Sequence, residues 1–236
     1  PSLGSGVIYP VPEEDILCDP MEFPAHYRFV YALDVGWSRT AGLWGAIDPE
    51  SDVLYLWSEH YRGQAEPPIH AEAVKARGKW IPGVIDPAAR GRSQDDGEAL
   101  LTQYRTLELN LVPADNRVES GIYEVWTRLS TGRIRVFRTL QNFRSEYRIY
   151  RRDTKGKIVK DNDHLMDTLR YMVMSGLTLA AQRPFDQQIG MMKAGRRAQH
   201  LVDYSPLQAA WSPQPQQGSA QPRQQTWLPH NPNSGR

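Results

Sequence analysis

Three apolar, β-rich runs follow one another with only short turn segments between them: YRFVYALDVG (27–36), AGLWGAID (41–48) and DVLYLWSEHYR (52–62). A link such as Asp48-Pro49-Glu50-Ser51 is too short for a crossover helix and suits a hairpin. The three runs are therefore expected to pair as antiparallel neighbours. A chain that opens in this way is committed to a sheet whose first strands form a meander.

The pattern then changes. PPIHAEAVKARGKW begins with prolines suited to a helix start, and GVID (83–86) supplies a short buried strand. DDGEALLTQYRTLEL reads as a second helix with acids in its first turn, where they complement the helix dipole, and NLVPA reads as a brief strand. A helix at VESGIYEVWTRLS, a strand at RIRVF (133–137) and a short helix at LQNFRSEY follow. RIYRRDTKGKIVK alternates around Asp153-Thr154-Lys155-Gly156 and predicts a β-hairpin. From Asp163 to about Ala181, apolar residues at Leu165, Leu169, Met172, Val173 and Leu177 predict a closing helix. The whole is an α/β pattern: a mixed sheet of three antiparallel strands and then parallel ones, flanked by helices, with an added β-hairpin.

Composition sets the outer bounds. Residues 1–27 hold Pro1, Pro10, Pro12, Pro20 and Pro24, which bar long regular elements and read as a linker or lead-in. After Gln182, Pro, Gln, Ser and Asn dominate, so 182–236 is expected to be a disordered tail. Its Arg196, Arg197, His200, Tyr204 and Trp211 leave a partner-binding segment as the alternative. Between them, 28–181 is long and apolar enough for one core. The chain begins with Pro1 and reaches its first methionine at Met21, which reads as a portion of something longer.

The single cysteine, Cys18, excludes an intrachain disulfide and a Cys-cluster zinc site. No apolar run approaches the roughly 18 residues of a membrane span, and the N-terminus lacks signal-peptide character, so a cytosolic chain without a membrane partner is expected. No GxxxxGK[ST] occurs, so the chain carries no P-loop ATPase of its own.

Chemistry is suggested by three acidic segments far apart in sequence. Asp34 ends the first apolar run, Asp86 ends GVID before Pro87 turns the chain away, and Asp163, His164 and Asp167 open the closing helix. Taken singly, Asp34 and Asp86 read as readily as turn residues, and Asp161, Asn162 or Asp163 as a helix cap. Asp163 and Asp167, four apart, share a helix face. Carboxylates from two strand ends and one helix suit hard divalent ions with oxygen ligands.

DVGW, VIDPAARG and above all NDHLMDTLRY resemble, in that order, the nuclease domain of the large terminase subunit of tailed bacteriophages, a branch of the ribonuclease-H-like superfamily. The resemblance covers roughly residues 25–181. It implies that Asp34, Asp86 and Asp167 are metal-binding acids, with Asp163 contesting the place of Asp167 and His164 beside the site as an aid to water or proton. It further implies two Mg²⁺ or Mn²⁺ ions about 3.5 to 4 Å apart, bridged by Asp34, that hydrolyse phosphodiester bonds of concatemeric double-stranded DNA with little sequence preference. Implied partners are the packaging ATPase domain, the capsid portal and the small terminase subunit, in the cytoplasm of an infected bacterial host.

A basic stretch supplies a DNA-binding expectation. Arg128, Arg133, Arg135, Arg138, Arg144, Arg148, Arg151, Arg152, Lys155, Lys157 and Lys160 face only Glu146 and Asp153 between them. Of these, Arg148, Arg151, Arg152, Lys155 and Lys157 in the hairpin region are expected to meet phosphates, joined by Arg90 and Arg92 after Asp86. Tyr147 and Tyr150 are open to base stacking or to packing, and Trp37, Trp44 and Trp57 to core or rim packing. The competing functions are a ribonuclease-H-like nuclease of the Holliday-junction resolvase or recombinase type, and a non-catalytic module that docks on the portal.

Overall fold

The computed structural model of the protein describes residues 6–87 and 96–185. It corrects the reading of the lead-in first. Strand β1 (Gly6–Val7), helix α1 (Glu13–Ile16) and strand β2 (Leu17–Cys18) belong to the domain. The prolines keep these elements short, yet Ile8, Tyr9, Ile16 and Leu17 are buried in the main core. Proline spacing forbids long elements; it does not forbid burial of the apolar pairs between them.

The meander forms as the short links require. Strands β3 (Arg28–Asp34), β4 (Thr40–Asp48) and β5 (Val53–Arg62) pair antiparallel in sequence order. Helix α2 (Pro67–Gly78) starts on Pro67 and Pro68 and returns the chain to β6 (Gly83–Ile85), parallel to β3. Helix α3 (Asp96–Thr106) leads to β7 (Leu111–Pro113), parallel to β6. Helix α4 (Val118–Ser130) then carries the chain toward the opposite edge, where β8 (Ile134–Phe137) adds parallel to β5 and β2 adds to β8. The strand order is β2-β8-β5-β4-β3-β6-β7.

Helix α5 (Gln141–Ile149) extends further than expected and takes in Arg148 and Ile149, the start of the expected hairpin's first arm. Strand β9 (Arg151–Arg152) pairs with β1, and the hairpin is present but short: an antiparallel Arg152–Ile158 bridge is flanked by the Asp153 N–H donating to the Lys157 carbonyl at 2.8 Å and the Val159 N–H donating to the Arg151 carbonyl at 3.0 Å. Its turn is reinforced by Asp153 Oδ1, which accepts the Lys155 and Lys157 N–H groups at 2.8 and 2.9 Å. Helix α6 (His164–Tyr171) runs into a π-helical turn at Met172–Gly176 and then α7 (Leu177–Leu179), where one uninterrupted helix was expected. Strand β10 (Ala181–Gln182) pairs with Phe29 and Arg28 of β3, so the domain reaches the point where the tail was expected to begin. Residues 186–236, the rest of that tail, lie outside the described residues.

Strand alternation divides the apolar residues between two layers. Phe29, Tyr31, Leu33 and Ile85 join Ala71 and Val74 of α2 and Leu101 and Tyr104 of α3. Val30, Ala32 and Val84 join Val125 of α4, Phe143 of α5 and Leu165 and Leu169 of α6. Two apolar layers of this size account for the stability of a sheet covered on both faces.

Candidate metal centre

The same alternation aims the first two acids. Val30, Ala32 and Val84 face the α4 and α6 layer, so Asp34 and Asp86, two residues further along their strands, point to that side. Leu33 stands opposite Ile85 in the parallel pairing, and the Asp86 N–H donates to the Leu33 carbonyl at 2.9 Å. The two carboxylates therefore leave the sheet side by side, at the carboxyl ends of adjacent strands.

Helix α6 and its π-turn lie over them. Gly45 of β4 permits the approach: a Cβ there would sit 2.6 Å from Met172 Sδ. His164 and Tyr171 lie on one stripe of the helix and each meets one acid. His164 Nδ1 is 2.8 Å from Asp34 Oδ2, and Tyr171 Oη donates to Asp86 Oδ1 at 3.1 Å. Tyr171 went unremarked in the sequence, although it lies inside the acidic motif at the spacing that repeats a helix face.

Asp163 and Asp167 share a face as expected, but it is the neighbouring one. Lys160 Nζ stands between them, 2.7 Å from Asp163 Oδ2 and 2.8 Å from Asp167 Oδ2. Buried Arg170 donates to Asp167 Oδ1 and to Asn116 Oδ1, both at 3.0 Å. Asp163 occupies the N-cap position of α6 without a side-chain cap bond. The first-turn donor is met from elsewhere: Glu146 Oε2, on α5, accepts the Leu165 N–H at 2.6 Å. In the sequence Glu146 is an isolated acid in a basic run, and nothing in the spacing pairs it with residue 165.

The electrostatics follow from this crowding. Burial raises the Asp34 carboxyl above its usual value, and the charges of Asp86 and Asp167 push the same way, against the bond and charge of His164. His164 is raised in turn, first by its bond to Asp34. Burial pushes Glu146 up to about 7, against the bonds from Tyr61 and Leu165.

The basic stretch is mostly spent inside the domain. Arg128 and Arg133 pair with Asp52, Arg138 with Asp19, Arg144 and Arg148 with Glu13, and Arg152 with Glu119, while Arg135 bonds the Asp15 carbonyl. Arg152 is buried, which removes it from a DNA-facing surface; its guanidinium also bonds the Gly156 carbonyl and shapes the turn. Arg151, Lys155 and Lys157 are exposed and make no side-chain ion pair among the described residues. Arg90 and Arg92 lie outside the described residues. Tyr147 and Tyr150 are buried against Tyr9, so packing is their role and base stacking is not. Trp44 is core and Trp57 packs against it, whereas Trp37, three residues past Asp34, is 66% exposed.

Four carboxylates and one imidazole form an oxygen-rich donor set suited to a hard divalent cation. Asp34 offers Oδ1 without a protein partner among the described residues, and the Lys160 ammonium shows that Asp163 and Asp167 accept a cation between them. The cluster is open: among the described residues, the ligand atoms that all lie within 4.8 Å of one another are those of His26, Asp48 and Glu50. There Asp48 closes the β4–β5 turn by accepting the Glu50 N–H and the Ser51 hydroxyl.

A family model described as the terminase RNase H-like domain matches residues 32–175, a span that contains both strand-end acids and the whole of α6. The chain belongs to that family. Two curated terminase large subunits, from Salmonella phage P22 and Enterobacteria phage LP7, are each 36% identical over 185 and 188 residues, 74% and 75% of this chain. Those stretches are 36% and 39% of the two relatives, so the chain spans less than half the length of the terminase subunits it matches. The solved P22 large terminase nuclease domain superposes with a TM-score of 0.71 at 34% identity, covering 77% of this chain and 97% of that one. The large terminase nuclease of thermophilic phage G20c with bound magnesium shares the fold at a TM-score of 0.55 and 13% identity, covering 74% and 99%. Among the described residues no helix is long and apolar enough to cross a membrane.

Proposed function

We propose that this terminase domain is a divalent-metal-dependent endonuclease that cuts double-stranded concatemeric DNA during genome packaging. The observation that carries the reading is the pair of strand-end carboxylates, Asp34 and Asp86, lying side by side beneath His164 and Tyr171 of one helix. A pair of Mg²⁺ or Mn²⁺ ions, when bound, supplies Lewis-acid activation of water and charge neutralisation at the scissile phosphate.

The chain's own residues do the rest. Asp34 and Asp86, with Asp163 and Asp167, would hold the ions, and bound positive charge would offset the burial, and the lesser repulsion from Asp86 and Asp167, that raise the Asp34 carboxyl. His164 fixes Asp34 through Oδ2, and Tyr171 fixes Asp86 through Oδ1, so neither carboxylate rotates freely. Arg151, Lys155 and Lys157 meet the phosphate backbone, which yields affinity without base selection. In a complete large subunit the domain works beside a packaging ATPase domain, with the small subunit and the portal, in the cytoplasm of the infected host. The test is plasmid cleavage in Mn²⁺ by the wild-type chain and by Asp34→Asn. Cleavage is expected from the first and not from the second; equal cleavage by both would overturn the assignment.

A further inference from the structure

Glu146 is 2% exposed, and both of its oxygens are committed to the framework of the metal centre. A buried carboxylate is costly unless it is bonded, so its partners indicate what it is for. Oε2 accepts the Leu165 N–H at 2.6 Å, in the first turn of α6, where Asp163 makes no side-chain cap bond. Oε1 accepts the Tyr61 hydroxyl at 2.7 Å from the end of β5. The Tyr61 ring lies 6.4 Å from the His164 ring, and the Arg39 guanidinium, from the segment between Asp34 and β4, sits 4.5 Å over it. Glu146, on α5, thus ties the first turn of α6 to the end of β5, whose Tyr61 ring lies beside His164.

Chain connectivity does not place the start of α6. Between α5 and α6 lie residues 150–163, whose regular structure is the two-residue β9 and the single bridge to Ile158. His164 immediately precedes Leu165, so a bond to the Leu165 amide fixes where the imidazole begins.

We infer that Glu146 is a positioning residue of the centre, whose carboxylate fixes the first turn of α6 and thereby holds His164 against Asp34. Its catalytic consequence rests on the nuclease reading; its hold on α6 does not. Glu146→Gln replaces one acceptor with an amide donor that faces either the Leu165 N–H or the Tyr61 hydroxyl. Tyr61→Phe removes the other end of the link alone.

The experiment uses the full chain with supercoiled plasmid and Mn²⁺, beside amide hydrogen exchange in the metal-free protein. Glu146→Gln is expected to retain its circular dichroism, to lose about tenfold in kcat, and to keep KM for DNA. Tyr61→Phe is expected to lose less, and the double variant no more than Glu146→Gln alone. Exchange at Leu165 and Met166 is expected to accelerate in Glu146→Gln while Leu169 stays protected. A folded Glu146→Gln with wild-type kcat, or with unchanged Leu165 exchange, would overturn the inference. Should that variant not fold, Tyr61→Phe decides: wild-type kcat together with wild-type Leu165 exchange counts against it. A wild-type chain that neither binds Mn²⁺ nor cuts plasmid would remove the nuclease reading, and the exchange measurement would then decide on Glu146 by itself.

Discussion

His164 Nδ1 lies 2.8 Å from Asp34 Oδ2, joining the end of β3 to the start of α6 across 130 residues of sequence. The contact holds a carboxylate that burial and two neighbouring acids push toward the neutral form. Asp34→Asn removes that charge while preserving the shape of the side chain. Cleavage is expected to fall below detection and Mn²⁺ binding, measured by calorimetry, to weaken sharply. The melting temperature of the metal-free protein is expected to stay level or rise, since functional sites hold charge at the expense of stability. A clear fall in melting temperature would show that Asp34 serves the fold before it serves the metal.

Lys160 places an ammonium between Asp163 and Asp167. Burial works against its charge, yet the bonds to the two acids raise its pKa overall. Lys160→Ala takes that cation away and leaves a more negative pocket. Mn²⁺ is then expected to bind more tightly, by about threefold to tenfold for a partly exposed charge. Calorimetry on the two proteins at one ionic strength checks the sign.

The strand pattern was legible because short links and period-two alternation leave few arrangements for 27–62, and that parity also aimed Asp34 and Asp86. The motif around Asp163 was legible as a helix start, and its shared face for Asp163 and Asp167 holds. What the sequence concealed are contacts with no local signal. Glu146 reaches Leu165 from another helix, Tyr61 reaches Glu146 from a strand, and Glu13 of the lead-in takes up Arg144 and Arg148. A charge run is visible in a sequence, but its internal partners are not, so the basic stretch looked more available to DNA than it is.

Arg170 is almost wholly buried and bonds Asp167 and Asn116 through its two terminal nitrogens. Gly121 of α4 lies directly against its stem, where a Cβ would be 2.4 Å from Arg170 Cγ. Arg170→Met keeps most of the packing volume but strands part of the Asp167 charge. It is expected to destabilise the domain by about 3 kcal/mol in urea unfolding, because a buried pair is broken from one side. Gly121→Ala is expected to destabilise as well, by forcing α4 and α6 apart.

Arg151, Lys155 and Lys157 are exposed cations without side-chain ion pairs among the described residues. If they meet backbone phosphates, each adds to the counterions released on binding. Replacing all three with Gln is expected to weaken duplex binding equally across sequences and to reduce the slope of log K against log salt by about 2 to 3. Arg148→Gln, whose guanidinium already pairs with Glu13, is expected to change the slope far less. Fluorescence anisotropy at four or five salt concentrations separates the two outcomes.

His60 Nε2 and His70 Nδ1 are 2.8 Å apart, and His70 Nε2 is 3.1 Å from the Ala65 carbonyl, so the pair shares its protons in one fixed sense. Burial, then the charges of His70 and Arg77, bring His60 down to about 4, and burial lowers His70 as well. Unfolded histidines take up protons near 6.5, before these folded ones do. The stability contribution of the pair is therefore present above pH 6.5 and is lost as pH falls toward 4. Since His60 is only partly buried, solvent screening reduces the effect to on the order of 1 kcal/mol. His60→Gln can still donate to His70 Nδ1 but takes up no proton. Melting curves at pH 7.5 and 4.5 are expected to show a smaller drop for the variant than for the wild type, and an equal drop would mean that the pair does not titrate on unfolding.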